Sequence, residues 1–156
     1  MASGRRRTSL GLYRDPAITI TRMGTQKTEL VYVLVANRKH KYPNGRSRIV
    51  YVGMTESGVH RIASSVANRA EQVLREKGIS SFSAHVVHYM PPRTFSAKLW
   101  KKRPVLLLER ALIISFQETY GCPPLCNGTG QNMRPTFGEF DRFSRNRIGT
   151  LIEDLS

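Results

Sequence analysis

Long apolar runs are missing from this chain. No segment of the 156 residues approaches the ~20 that a membrane-spanning helix needs. The basic start, Met1-Ala-Ser-Gly-Arg-Arg-Arg-Thr8, has no apolar stretch behind it and does not read as a secretory leader. A cytoplasmic location is therefore expected, and Asn127-Gly128-Thr129 matches a glycosylation sequon without the compartment it would need. Cysteine is scarce as well. Cys122 and Cys126, in Cys-Pro-Pro-Leu-Cys, are the only two and are expected to be free buried thiols. His85 and His88 do not rescue a zinc site, because positions three apart in a strand point to opposite faces. Acidic residues are the third shortage, at 11 against 25 Lys and Arg, giving a net charge of +14 and a pI near 10.6. Such a surface calls for a polyanionic partner. Without a long basic amphipathic helix, nucleic acid is favoured over a membrane. The length suits one domain with a real core.

What is present reads as strands and helices in alternation. Residues 1–29 form a basic N-terminal extension with weak structure signals. Leu30-Val-Tyr-Val-Leu-Val35 is β-branched and aromatic, hence a strand. Asn37 to Arg46 is expected to be a basic loop with Asn-Gly turn chemistry. Arg48-Ile-Val-Tyr-Val-Gly53 is its antiparallel partner. A helix capped by Ser57 runs to about Lys77, where Gly78 stops it. Phe82 to Tyr89 is a third strand. Pro104 suits the first turn of a second helix that ends near Gly121. Residues 122–138 read as loop, and a short amphipathic helix spans roughly 139–154. The order ββαβα predicts an α+β domain over 30–130, with a small three-stranded antiparallel sheet flanked by helices. Residues 131–156 are then a basic C-terminal extension packed on it.

One carboxylate stands out. Glu109 lies in Pro104-Val-Leu-Leu-Leu-Glu-Arg-Ala-Leu-Ile-Ile-Ser-Phe116. On a helix its neighbours three and four positions away are Val105, Leu106, Leu112 and Ile113, all apolar. A carboxylate there is costly to bury unless a cation meets it, either a divalent metal or an arginine. The bland alternative is a Glu109–Arg110 edge exposed to water.

Taken with Val31-Tyr32-Val33, Tyr51-Val52-Gly53, an Arg61 ten residues after Tyr51, and Asn127 in the loop beyond Glu109, the chain resembles the GIY-YIG nuclease family over about residues 30–130. Val31 replaces the family's first Gly, the loop between the tyrosines is long, and Ser65 stands where many members carry His or Tyr. Arg69 lies two turns beyond Arg61 on the same helix. The resemblance implies a DNA endonuclease that hydrolyses phosphodiester bonds with one Mg²⁺, replaceable by Mn²⁺, on Glu109. It implies Tyr32 and Tyr51 as water-orienting or base groups, Arg61 as the phosphate-neutralising fork, and Asn127 as the anchor of its loop. Singly, each has a plain structural role: sheet tyrosines, a solvated arginine, a turn asparagine. The backbone of DNA, most readily a duplex, would be gripped by Arg38, Lys39, Lys41, Arg46, Arg48 and Arg69. Lys98, Lys101, Lys102, Arg103 and Arg134, with Arg142, Arg145 and Arg147, would extend that grip. A restriction-type enzyme would need a homodimer to cut both strands. The rivals are a nucleic-acid-binding module that keeps the fold without cleavage, and an RNA-directed nuclease.

Overall fold

The computed structural model describes residues 27–88, 104–128 and 140–156. Two long strands, β1 (Leu30–Tyr42) and β2 (Gly45–Thr55), form a hairpin. Helix α1 (Val59–Leu74) follows, then β3 (Phe82–Val87), α2 (Pro104–Tyr120) and α3 (Arg142–Leu155). The sheet order is β2-β1-β3, and every pairing is antiparallel. The domain is thus α+β, with the three-stranded sheet the sequence predicts.

The hairpin is longer than predicted. The expected basic loop after Val35 continues as strand, because Tyr42 anchors it. Tyr42 is buried, donates its hydroxyl proton to the Ile49 carbonyl at 2.6 Å and accepts from the Leu125 amide at 3.2 Å. Its ring packs edge-on to His40 and Phe116 and lies 6.0 Å from Tyr120. Only Pro43 and Asn44 remain as turn.

Helix boundaries also differ. Gly58, at φ +83°, precedes α1 in place of the expected Ser57 cap, and its amide donates to the Thr28 carbonyl at 2.9 Å. Gly78, at φ +86°, closes the turn after α1. Helix α3 starts from Asp141, whose carboxylate accepts from the Ser144 amide at 2.7 Å and is held below its ordinary pKa by that bond.

Side chains alternate across the sheet, so each face buries a separate cluster. Val31, Val33, Val35, Ile49 and Val52 pack against α2 and α3 around Phe116 and Ile152. Leu30, Tyr32, Leu34, Ala36 and Val50 pack under α1 with Ile62 and Val73. Cys122 packs against the first cluster and Cys126 against the second, and both are free thiols.

Alternation breaks once in β2. Leu34 pairs with Tyr51 and Val35 with Ile49, which leaves Val50 as an extra residue. This β-bulge puts Val50 and Tyr51 on one face in succession. A larger bulge follows in β1, where Ala36, Asn37, Arg38 and Lys39 stand against Arg48 alone.

Candidate active site

The bulge turns Tyr51 toward α1, onto the face that already holds Tyr32. Their ring centroids are 6.0 Å apart. Gly53 lies directly opposite Tyr32 in the ladder and leaves room for both rings. A β-carbon added at Gly53 would sit 2.5 Å from the Tyr51 ring and 2.8 Å from the Tyr32 hydroxyl carbon and oxygen. Gly53 is buried, so the rings have little room to retreat. Gly53→Ala is expected to destabilise the fold by about 1–3 kcal/mol through overpacking and to displace the tyrosine pair. Denaturant unfolding reads the first effect and near-ultraviolet circular dichroism the second. An unchanged midpoint and spectrum would show that the glycine is not demanded here.

Helix α1 lays its third turn over this pair. The Tyr32 hydroxyl donates to Ser65 Oγ at 2.7 Å. Arg69 donates to the same Oγ at 2.7 Å and to the Ser65 carbonyl at 3.1 Å. Its guanidinium carbon lies 3.7 Å from the centre of the Tyr51 ring, a cation–π stack. Both bonds use one terminal nitrogen, so among the described residues the guanidinium's other N–H groups are unclaimed. Ser65 is therefore the hub joining the first tyrosine to the arginine.

Glu109 arrives from the opposite side of the sheet, around the open margin of β2. The Val52 amide and carbonyl point away from β1, and so does the Met54 amide two residues on. The Met54 backbone amide lies near enough the Glu109 carboxylate to pull its pKa down. Asn127 takes both Val52 groups: its Oδ1 accepts from the Val52 amide at 2.9 Å, and its Nδ2 donates to the Val52 carbonyl at 2.8 Å. The Cys126 amide donates to the Val50 carbonyl at 2.9 Å. Asn127→Ala removes two hydrogen bonds of the kind worth about 0.5–1.5 kcal/mol each and leaves Val52 without partners. The expected result is a loss of about 1–3 kcal/mol in denaturant unfolding, with faster amide exchange over residues 121–128. Wild-type protection of that segment would show that the amide clamp does not hold it.

The electrostatics follow from this placement. Glu109 is half-buried, and burial raises its pKa from 4.5 to about 7, although Arg110, the Met54 backbone and Arg69 all oppose the rise. Tyr51 is pushed up to about 12, first by burial and then by Tyr32, with Glu109 adding and Arg69 opposing. At neutral pH Tyr51 keeps its proton and is a donor.

The structure stacks Tyr32 on Tyr51, clamps the neighbouring Val52 backbone with Asn127, and brings the charge of Glu109 to bear on Tyr51. Arg61 does not join them through any side-chain hydrogen bond among the described residues. It is exposed, in the first turn of α1, and the guanidinium stacked on Tyr51 belongs to Arg69. His60 beside it is exposed too. Arg38, Lys39, Lys41 and Arg46 are exposed on the distal hairpin, and Arg48 is half-buried there. Lys98, Lys101, Lys102, Arg103 and Arg134 lie outside the described residues. Ser65 was legible only as a departure from a family pattern. The Met54 amide carries no sequence signal.

Among the described residues, no group of three or more His, Cys, Asp or Glu could hold a metal ion. Among the described residues, the candidate for a divalent cation is one half-buried carboxylate whose charge is poorly compensated. That fits Mg²⁺, which keeps most of its own waters and accepts a single protein ligand. Among the described residues, no helix is long and apolar enough to cross a membrane. In comparisons with known proteins, the chain matches no family model, no curated protein and no solved structure.

Proposed function

We propose that the protein is a metal-dependent endonuclease that hydrolyses phosphodiester bonds in DNA, with Mg²⁺ or Mn²⁺ held by Glu109. One observation carries this reading. Tyr32, Tyr51 and Arg69, from three elements, stack together on one face of the sheet, and Glu109, from a fourth, lies close enough for its charge to be felt at Tyr51 and Arg69. A half-buried carboxylate that could hold a metal, an arginine with unclaimed donors and a protonated tyrosine are groups that can serve phosphodiester hydrolysis.

In that reaction a water oxygen attacks phosphorus, and the bond to one sugar oxygen breaks. The released oxygen leaves as an alcohol once it has taken a proton. The bound ion supplies Lewis acidity and charge neutralisation. Arg69 presents its remaining N–H groups to a non-bridging oxygen. Tyr51, protonated, orients the water or the phosphate by donation. Ser65 holds the Tyr32 hydroxyl in place. Asn127 fixes the loop beside Glu109 and does not react.

A second reading has one observation in its favour. Tyr32 is only 2% exposed and gives its proton to Ser65, which suits a module that binds nucleic acid without cutting it. Plasmid duplex, single-stranded DNA and RNA, each incubated with Mg²⁺, with Mn²⁺ and with chelator, separate the readings. Nicked or linear plasmid with metal and none with chelator is the expected result. Binding without cleavage under either ion supports the second reading, and cleavage of RNA alone moves the substrate.

A further inference from the structure

Away from the tyrosine pair, cations from β1, β2 and the turn after α1 come together. Arg38, Lys39, Arg46, Lys77 and Gly78 line an open cavity of about 370 Å³. The β1 bulge pushes Arg38 and Lys39 out in succession. Arg46 comes from the facing strand, with Lys41 directly opposite it in the ladder. Lys77 comes from the turn after α1, where the Arg38 stem runs beside Gly78, its Cδ 3.7 Å from where a β-carbon would be.

This cluster is fixed. Asn37 Oδ1 accepts from the amides of Ser80 and Ser81 at 3.1 and 3.3 Å, and Asn37 Nδ2 donates to Ser80 Oγ at 2.9 Å. These bonds tie the bulge to the turn that carries Lys77. It is also unneutralised. Among the described residues no carboxylate lines the cavity, and the acid next to Lys77 in the chain, Glu76, is engaged with His40 at 3.0 Å. None of the four lining cations forms an ion pair with any described residue. Arg48, two residues from Arg46 on the same strand face, has a buried Nε with no hydrogen-bond partner among the described residues. Like charges facing each other across a hairpin are destabilising. The isolated chain gains nothing from gathering them.

The cavity and the tyrosine pair share the α1 side of the sheet. Arg69 is five residues, about 7.5 Å at 1.5 Å per residue, from the end of α1 at Leu74, and Lys77 lies in the turn beyond. Tyr51 to Arg46 is five residues, about 17 Å at 3.3 Å per residue. Along a duplex that separation is roughly four to five nucleotides at about 3.4 Å each.

We infer that the Arg38–Lys39–Arg46–Lys77 cavity is a second phosphate subsite, binding the nucleic-acid backbone about four to five nucleotides from the bond placed at Tyr51 and Glu109. Its ligand is the phosphodiester anion, whatever the base. It rests on the proposed nuclease reading for the identity of the polymer, but not for its own anion chemistry. Its work is to hold the strand in register with the site, so that substrates too short to reach it bind weakly.

The test uses full-length Glu109→Gln protein, which cannot cut, with and without Arg38→Gln, Lys39→Gln, Arg46→Gln and Lys77→Gln together. All four side chains are exposed, so the fold survives, as circular dichroism can verify. Affinity is measured for DNA duplexes of increasing length across a salt series. With the cations present, affinity should step up at the length that spans both sites. Without them the step should vanish, and the log–log salt slope should fall by about 0.9 for each phosphate that is no longer neutralised. An unchanged slope and step overturn the subsite while leaving the nuclease reading standing. Inorganic tripolyphosphate, read by amide chemical shifts, supplies the second arm. Cation-dependent binding of it by a protein that ignores DNA keeps the subsite and removes the nuclease reading. No binding of either overturns both. Anionic lipid vesicles bound through the same cations, in place of DNA, overturn the assignment to nucleic acid.

Discussion

Glu109→Gln should abolish metal-dependent DNA cleavage, a loss of about 10³-fold or more, while leaving duplex affinity near wild type. The amide keeps the shape of the side chain but carries no charge with which to hold a divalent ion. Its second effect is on stability. The Glu109 pKa rises from 4.5 to about 7 on folding. Between those values the folded chain keeps a proton that the unfolded chain has released. Stability from this group is therefore complete below pH 4.5 and is lost as pH rises through 7. The Glu109→Gln variant should match the wild type near pH 4 and be the more stable protein at pH 8. Added Mg²⁺ should raise the melting temperature of the wild type at pH 8 and leave that of the variant where it was. The same titration makes metal affinity climb up to about pH 7 and level off above it. A Glu109→Gln enzyme that cuts at the wild-type rate sinks the metal assignment. A variant that unfolds instead assigns Glu109 to holding Arg110 and Arg69.

Arg69→Ala should be the deader of two arginine variants. The family spacing singles out Arg61, but the guanidinium on Tyr51 and Ser65 is that of Arg69. Losing a preorganised donor to the reacting phosphate costs about 10²–10³-fold in rate. Single-turnover cleavage at saturating enzyme isolates that loss, because binding defects vanish there. Arg61→Ala should then cleave nearly as fast as the wild type and show its defect only as weaker binding in higher salt. Arg69→Lys keeps the charge but not the planar fork, and should recover only part of the rate. If Arg61→Ala proves the slower enzyme, the spacing argument stands and Arg69 serves to support Tyr51.

The element order was readable because hydrophobic period and punctuation agree: β-branched runs at 30–35 and 48–53, Pro104 opening a helix, Gly121 closing it. Glu109 was readable because a carboxylate among leucines is an energetic anomaly in any fold. The direction of Tyr51 was not. Strict alternation would place it with Ile49, and the extra Val50 that turns it over looks like any other strand valine. Arg69 was hidden for a related reason. A spacing of ten residues puts Arg61 at the start of α1, but which turn overlies the tyrosines depends on the angle at which α1 crosses the sheet. The hairpin arms beyond Val35 looked like loop because their side chains are polar, and one buried tyrosine at position 42 keeps them paired.

The margin of β2 is where the domain defends itself against its own kind. An uncovered strand invites a second copy to add to the sheet and begin a filament. Here the Val50 carbonyl is taken by the Cys126 amide and both Val52 groups by Asn127, with the Glu109 carboxylate beside the Met54 amide. Two of those covers are the very residues assigned to function. Damage at Asn127 or Glu109 thus bears on solubility as well as on chemistry, since each loss bares part of a ladder on which a stranger can settle. A homodimer built by strand addition along residues 50–54 of β2 would first have to displace these covers.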